Sequence, residues 1–281
     1  MTERLTVVIG ASRGIGRHLA TVAASKGHTV LIAARNGNEL ELLADELMGF
    51  EVPVSVLVGD LLAGEGLDQP AAEIRSHEGP VGVYVTAATI GPVGPFLSMD
   101  LDAWSAALVA NVAGTARVLQ ASLAAMKKTD IAVLFAGGGV GGPRTQPRVS
   151  SYTTSKAALA NLVEVVAREL GEDGAALMAI APGAFPTGFN DAVLATDPEI
   201  AGEELLTDVT KNNAKEFDAS RLDALIEYLE HVDCRPLAGR ILSARWETPD
   251  ALEESREDIR TSVDMFRLRR VDGDVVTARS W

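Results

Sequence analysis

A tyrosine and a lysine four positions apart are the residues of this chain best suited to proton transfer. They are Tyr152 and Lys156, in the stretch Ser-Tyr-Thr-Thr-Ser-Lys, and they fall at the start of a segment with helical periodicity. Residues four apart lie on one face of a helix, so this spacing brings a phenol and an ammonium together. A free tyrosine titrates at about pH 10, and a neighbouring positive charge favours the phenolate, which can exchange a proton with an alcohol or a carbonyl.

A glycine-spaced turn near the start of the chain has the features of a diphosphate-binding loop. Gly10, Gly14 and Gly16 separate a short apolar strand, Leu5–Ile9, from an amphipathic helix, and a second apolar strand, Thr29–Ala34, follows. Gly10 permits a tight turn, Gly14 lets the backbone approach a diphosphate, and Gly16 lets the helix pack closely on the sheet. Free N–H groups at the helix N-terminus favour an anion. This βαβ unit predicts a dinucleotide site.

The end of the second strand indicates which dinucleotide is bound. An NAD-selective site places a carboxylate there for the adenosine ribose hydroxyls. This chain has Ala33-Ala34-Arg35 at that position, and Arg13 lies inside the glycine loop. Because two guanidiniums can bracket a 2′-phosphate, the sequence predicts NADP(H).

The elements that must position these residues recur as an alternation of strands and helices. Further strands are predicted at Val54–Val58, Val81–Thr86, Ile131–Ala136, Ala175–Ala181 and Ile241–Ala244, and helices at Asn36–Met48, Leu67–His77, Leu101–Lys127 and Ser150–Leu170. This alternation predicts an α/β fold with a Rossmann-like doubly wound parallel sheet in the order 3-2-1-4-5-6-7. Ligands of such sheets bind at the carboxyl ends of the strands, where these motifs fall.

Two stretches interrupt the alternation. Phe185–Arg235 carries acidic helical segments and a helix near Ala219–Val232, and we expect this insertion before the last strand to overhang the cofactor cleft. The alternative is a surface helical pair without ligand contacts. Residues 248–281 form a C-terminal extension, with a helix predicted at Asp250–Met265 and a strand-like end. We therefore predict one domain, 1–247, followed by this extension.

Composition and charge exclude several classes of protein. The net charge of −14 argues against a non-specific nucleic-acid surface. The single cysteine, Cys234, rules out an intramolecular disulfide, and no apolar run is long enough to span a bilayer. Because a first strand beginning at Leu5 leaves no room for a signal peptide, we expect a soluble, cytoplasmic protein without a membrane partner. The histidines lack metal-ligand spacing, so no metal site is predicted, and His18 is expected on the surface.

Together these motifs resemble those of the classical short-chain dehydrogenase/reductase family, from Leu5 to about Ala244. The resemblance implies that Tyr152 is the general acid/base and that Lys156 holds the nicotinamide ribose and lowers the tyrosine pKa. It implies that Asn111 maintains a water-linked proton relay from the lysine; the alternative is a helix residue bonding its own backbone.

The same resemblance identifies the residues that bind the cofactor. Thr187, in a P-G-x3-T motif, is implied to contact the nicotinamide carboxamide, and Asp60 to lie near the adenine ring. The implied cofactor-binding residues are Gly10, Ser12, Arg13, Gly14, Ile15, Gly16, Arg35, Asp60, Ala87, Tyr152, Lys156, Pro182, Gly183 and Thr187.

Two positions depart from the family pattern. Where the family usually has N-A-G after the fourth strand, this chain has Thr86-Ala87-Ala88-Thr89, and backbone contacts could serve instead. The catalytic serine of the family corresponds to Gly139, in the run 135–142. The hydrogen bond that the serine donates to the reacting oxygen in the family could come here from backbone N–H groups, from Ser150 or Ser151, or from water. The alternative is that activity is lost.

These observations predict an NADP(H)-dependent oxidoreductase that interconverts a secondary alcohol and a carbonyl, with hydride transfer at the nicotinamide and proton transfer through Tyr152. One alternative is an epimerase or dehydratase that uses a bound nicotinamide transiently on a polar substrate such as a sugar derivative. Another, suggested by Gly139, is a non-catalytic NADP-binding protein. The family resemblance also implies that helices 101–127 and 150–170 pair across a two-fold axis, giving a homodimer or homotetramer.

Overall fold

Seven parallel strands form one sheet at the centre of the computed structural model, which describes residues 3–137, 146–183, 185, 187–213 and 219–268. The strands are β1 (Leu5–Ile9), β2 (Thr29–Ala34), β3 (Val54–Val58), β4 (Val81–Val85), β5 (Ile131–Phe135), β6 (Ala176–Ala181) and β7 (Ile241–Ser243). Their order, β3-β2-β1-β4-β5-β6-β7, confirms the predicted doubly wound α/β fold. Every residue of β1, β4 and β5 is buried, because helices cover both faces of the sheet.

Helices connect the strands on both faces. They are α1 (Gly14–Ser25), α2 (Gly37–Met48), α3 (Asp68–Ser76), α4 (Leu101–Leu108), α5 (Thr115–Leu123), α6 (Ser150–Leu170), α7 (Gly188–Leu194), α8 (Pro198–Ala201), α9 (Glu203–Asn213), α10 (Ser220–His231), α11 (Pro249–Glu254) and α12 (Arg256–Thr261). A π-helical segment, Val109–Gly114, joins α4 to α5. Within the described residues, no helix has the length and apolar character needed to cross a bilayer.

The long helix predicted at Leu101–Lys127 ends at Leu123 instead. The carboxylate of Asp130 accepts hydrogen bonds from the backbone N–H groups of Lys127 (2.6 Å) and Val81 (3.0 Å). These bonds fasten the loop after α5 to the start of β4, so the chain has to leave the helix before Lys127.

Apolar clusters fill the space between the sheet and its helices. One cluster contains Leu19 of α1, Leu43 of α2 and Leu225 of α10. The other contains Ile74 of α3 and Leu119 of α5, together with side chains of α6. The helix α10 is therefore part of the core.

The insertion between β6 and β7 has two parts, one at the cleft and one in the core. Only its first part, beginning with α7, lies at the carboxyl edge of the sheet, so the prediction that it overhangs the cleft does not extend to α10. On the core side, Nε2 of His18 in α1 lies 2.6 Å from Oδ1 of Asp223 in α10. The side chain of His18 remains 25% exposed, so His18 is a partly exposed residue that is paired with Asp223.

Residues 248–268 of the C-terminal extension pack against the β7 edge of the sheet. The helix predicted at Asp250–Met265 is divided into α11 and α12, and Leu252 and Ile259 bury their side chains in the core. The buried guanidinium of Arg240 donates to the carbonyls of Pro236 (2.9 Å), Ser262 (3.1 Å), Met265 (2.5 Å) and Ile259. Of these carbonyls, that of Ile259 lies within α12, which ends at Thr261. The predicted strand-like end falls in 269–281, outside the described residues.

Candidate active site

A cleft of about 1850 Å³ runs along the carboxyl edge of the sheet. Residues that follow each of the seven strands line it, from Gly10 after β1 to Arg245 after β7. All the residues predicted to bind the cofactor lie there: Gly10, Ser12, Arg13, Gly14, Ile15, Gly16, Arg35, Asp60, Ala87, Tyr152, Lys156, Pro182, Gly183 and Thr187. Its volume exceeds the roughly 300–1,000 Å³ of an ordinary ligand pocket, so the cleft has room for a cofactor and a second ligand.

Thr86 fastens the glycine loop to the end of β4. Its hydroxyl lies 3.0 Å from the carbonyl oxygen of Ile9 and 3.1 Å from that of Gly10. A Cβ on Gly10 would lie 2.6 Å from the amide nitrogen of Ala87, and a Cβ on Gly16 would overlap the Gly10 carbonyl. The close approach explains both glycines, and Thr86 supplies here a side-chain contact where the family usually has asparagine.

The two arginines of the predicted phosphate site have separate partners. At the ends of β2 and β3, Nη1 of the exposed Arg35 lies 3.7 Å from Oδ2 of Asp60. The side chain of Arg13 instead extends from the glycine loop to the start of α7. A Cβ added to Gly188 there would lie 2.5 Å from Cζ of Arg13. The structure therefore puts Arg35 where β2 and β3 end and Arg13 beside Gly188, at the start of α7.

Tyr152 and Lys156 face the cleft from the first turns of α6. Lys156 is buried, and its Nζ donates to the carbonyl oxygen of Phe135 (2.8 Å) and lies 5.5 Å from the centroid of the Tyr152 ring. Burial lowers the pKa of the Lys156 amine to about 8. Burial also raises the pKa of Tyr152 to about 12, the opposite of the shift that a nearby ammonium alone would cause.

Asn111 lies behind the cleft, within the π-helical segment. Its Nδ2 donates to the carbonyl of Thr89 (2.7 Å) and to Oγ of Ser155 (3.0 Å), and its Oδ1 accepts from the N–H of Thr89 (2.7 Å). Ser155 in turn donates to the backbone carbonyl of Tyr152 (2.7 Å). The side chain of Asn111 thus joins the β4–α4 loop to the helix turn that carries Tyr152, and it does not bond its own helix backbone. A π-helical segment at such a position is typical of functional sites.

The hydroxyls considered as substitutes for the family serine are bound to other groups. Oγ of Ser150 accepts from Nε1 of Trp104 (3.0 Å) and lies 3.6 Å from Sδ of Met99. Ser151 is fully buried and donates to the carbonyl of Ile90 (3.3 Å). Gly139 falls in 138–145, outside the described residues.

Two features of the cleft were missed by the sequence analysis. Phe189 of α7 packs on Tyr152, with ring centroids 4.9 Å apart and ring planes at 40°. Arg245 and Trp246, after β7, also line the cleft, with the guanidinium 4.7 Å from the indole centroid. The i,i+4 spacing of Phe189 and Val193 is a weak sequence signal for the short helix α7. In the part of the chain that the structure describes, no group of three or more His, Cys, Asp or Glu side chains could hold a metal ion.

Comparison with known proteins points to one family. A family model described as short chain dehydrogenase matches residues 4–198. A short chain dehydrogenase of Pseudocercospora fijiensis is 27% identical over 91% of this chain and 84% of its own length. A solved short chain dehydrogenase from Escherichia coli CFT073, described as putative and complexed with NADPH, is 25% identical, with a TM-score of 0.69 over 87% of this chain and 98% of its own. An NAD⁺-bound xylitol dehydrogenase shares the fold at 22% identity, with a TM-score of 0.72 over 86% and 97% of the two chains.

Proposed function

Because this chain belongs to the short chain dehydrogenase family, a family of oxidoreductases, we propose that it is an NADP(H)-dependent enzyme that interconverts a secondary alcohol and a carbonyl. One observation carries the proposal: Tyr152 and Lys156 line the same cleft as the glycine loop. A proton-exchanging phenol and a dinucleotide-binding loop therefore open onto one volume. Hydride transfer coupled to proton transfer requires this arrangement.

The glycine loop fits the dinucleotide that the proposal requires. Gly10 and Gly14 have φ values of +94° and +56°, so the turn depends on residues without a side chain. The helix α1 begins at Gly14 and is 12 residues long, which leaves free N–H groups and the positive end of its dipole at the loop. When bound, a nicotinamide supplies or accepts the hydride.

The preference for NADP(H) rests on Arg35. Its side chain is 72% exposed and 3.7 Å from a carboxylate, a geometry in which an ion pair contributes little stability. The guanidinium is therefore available to bind a 2′-phosphate bidentately. The relative from Escherichia coli CFT073 that was solved with NADPH supports the same choice.

Tyr152 is the proposed proton donor in carbonyl reduction. Since burial raises its pKa to about 12, the phenol stays protonated at neutral pH and can donate to a carbonyl oxygen. The ammonium of Lys156, 5.5 Å from the ring centroid, stabilises the phenolate that remains. In alcohol oxidation the same proton moves in the opposite direction.

The experiment that tests the proposal compares wild type with Tyr152→Phe on a panel of ketones and aldehydes, following NADPH absorbance. We expect the variant to lose turnover by roughly 10²–10⁴-fold, the usual contribution of a general acid, while its Kd for NADPH stays unchanged. Tyr228→Phe is the matched control, because Tyr228 lies on α10 and its hydroxyl binds Glu253.

Two other outcomes would contradict the proposal. If wild type and Tyr152→Phe bind NADPH but are equally inactive on the whole panel, the protein is a non-catalytic NADP-binding protein. If substrate is converted without a net change in NADPH, the cofactor is used transiently, as in an epimerase or dehydratase.

A further inference from the structure

The wall of the cleft beside Tyr152 has an apolar side, although the polar residues Gln146, Thr187 and Asn190 line the same cleft. Phe189 packs on the Tyr152 ring, and Ile90 and Ala192 line the cleft with it. Behind Phe189 and Ile90 lies a buried aliphatic cluster that consists of Val149, Val193, Leu205 and Val209. A ligand that reaches the Tyr152 hydroxyl along this wall meets hydrocarbon.

Four hydroxyl groups in the first turns of α6, those of Ser150, Ser151, Thr153 and Ser155, do not make this wall polar, because the protein already binds them. Ser150 contacts Trp104 and Met99, and Ser151 donates to the carbonyl of Ile90. Thr153 and Ser155 donate to backbone carbonyls at the start of the same helix, and Thr154 is exposed and does not line the cleft. A ligand with several hydroxyl groups would find these partners taken.

Two cations lie close to Tyr152 in the sequence, Lys156 and Arg148. Lys156 donates to the carbonyl of Phe135. Arg148, four residues before Tyr152, lies over Gly202 at the junction of α8 and α9. A Cβ added to Gly202 would lie 3.3 Å from Nε of Arg148. The Lys156 amine therefore already has a partner, and Arg148 does not line the cleft.

We infer that the substrate is a neutral, predominantly apolar carbonyl compound whose hydrocarbon body packs against Phe189. This inference rests on the proposed function and narrows it. A carboxylated or polyhydroxylated substrate would have to lose its hydration against the side chains of Ile90 and Phe189, which offer it no hydrogen bond. Each unpartnered hydroxyl costs about tenfold to a hundredfold in kcat/KM.

The test uses pairs of ketones with matched carbon skeletons. Cyclohexanone is compared with 2-keto-myo-inositol, its pentahydroxylated counterpart. Acetophenone is compared with benzoylformate, in which a carboxylate replaces the methyl group. We expect kcat/KM with NADPH to be at least about 100-fold higher for cyclohexanone and at least about tenfold higher for acetophenone than for their partners. Equal or higher values for the polar partner in either pair would overturn the inference and leave the oxidoreductase proposal standing.

Phe189→Ala tests the residue itself. In this variant kcat/KM for acetophenone should fall about tenfold, mainly because KM rises. The Kd for NADPH should equal that of wild type. Phe189→Leu retains most of the apolar volume and should show a smaller loss, which guards against a folding defect in the alanine variant. The matched control is Phe50→Ala, since Phe50 follows α2 and is exposed away from the cleft. Loss of the same size in Phe50→Ala, or none in Phe189→Ala, would contradict the inference.

A binding measurement separates this inference from the proposed function. Saturation-transfer NMR on the enzyme with NADP⁺ reports whether acetophenone binds in preference to benzoylformate, whatever the turnover. Absence of turnover with every ketone would refute the oxidoreductase proposal. A preference for acetophenone that disappears in Phe189→Ala would still support the apolar site, and no preference would refute it.

Discussion

Lys156 titrates in the pH range where activity is measured, because burial lowers the pKa of its amine to about 8. Below this pH the amine is charged and supports the phenolate of Tyr152; above it the charge is lost. Tyr152 itself stays protonated across this range, since its pKa is raised to about 12. We therefore expect kcat/KM for carbonyl reduction to fall as the pH rises through about 8.

The measurement is a pH profile of NADPH-dependent reduction between about pH 6 and 10. Lys156→Arg provides a comparison, because a guanidinium keeps its charge throughout this range and should remove the falling limb from any activity that the variant retains. A wild-type rate that is flat up to pH 10 would contradict the role given to Lys156.

Arg35 decides the choice of cofactor in the same cleft. Arg35→Asp should weaken NADPH binding by about 1–3 kcal/mol, the free energy of a lost charge-assisted contact, and favour NADH relative to NADPH. Isothermal titration with both cofactors measures the change. Arg75→Asp on α3 is the control, since Arg75 is exposed and does not line the cleft. Equal wild-type affinity for NADPH and NADH would exclude this role of Arg35.

At the level of secondary structure, the sequence predicted the sheet better than the helices around the site. Apolar runs such as Val81–Val85 are bounded by polar or turn residues, which makes the strands easy to recognise. Strands that alternate with helices run parallel, and right-handed crossover connections then leave few possible strand orders. The helix α7 was missed because 7 residues give too short a periodic pattern. The π-helical segment around Asn111 was missed, and the partners that Asn111 binds there, Thr89 and Ser155, lie in distant parts of the chain.

The positions of the predicted site residues followed from the topology. Motifs after different strands, such as Gly10 and Tyr152, meet because parallel strands all end at one edge. Side-chain partners could not be predicted in this way. Arg13 was paired with Arg35 from sequence alone, yet it reaches Gly188, and the bound hydroxyls of Ser150 and Ser151 depend on the fold of the β4–α4 loop.

The helices α4 and α6 expose apolar side chains that suit an interface between subunits. Leu101 and Val165 are 58% and 44% exposed. We expect a homodimer or homotetramer formed by these helices, and Val165→Glu should shift the protein to a smaller mass in light scattering after size exclusion. Met48→Glu on α2, also exposed, is the control. A wild-type monomer at micromolar concentration would contradict this expectation.

Across the whole molecule, the position of Arg13 has a consequence for the timing of ligand binding. Its guanidinium lies on Gly188, so the glycine loop and the helix that carries Phe189 share one cation. The phosphates of a dinucleotide compete for that cation, because charge-assisted contacts to phosphate are strong. We therefore expect a compulsory order, in which the dinucleotide associates first and leaves last, and product-inhibition patterns of random addition would argue against it. In such a cycle the concentration of free NADPH, and not that of the ketone, sets the fraction of enzyme molecules that can bind the ketone.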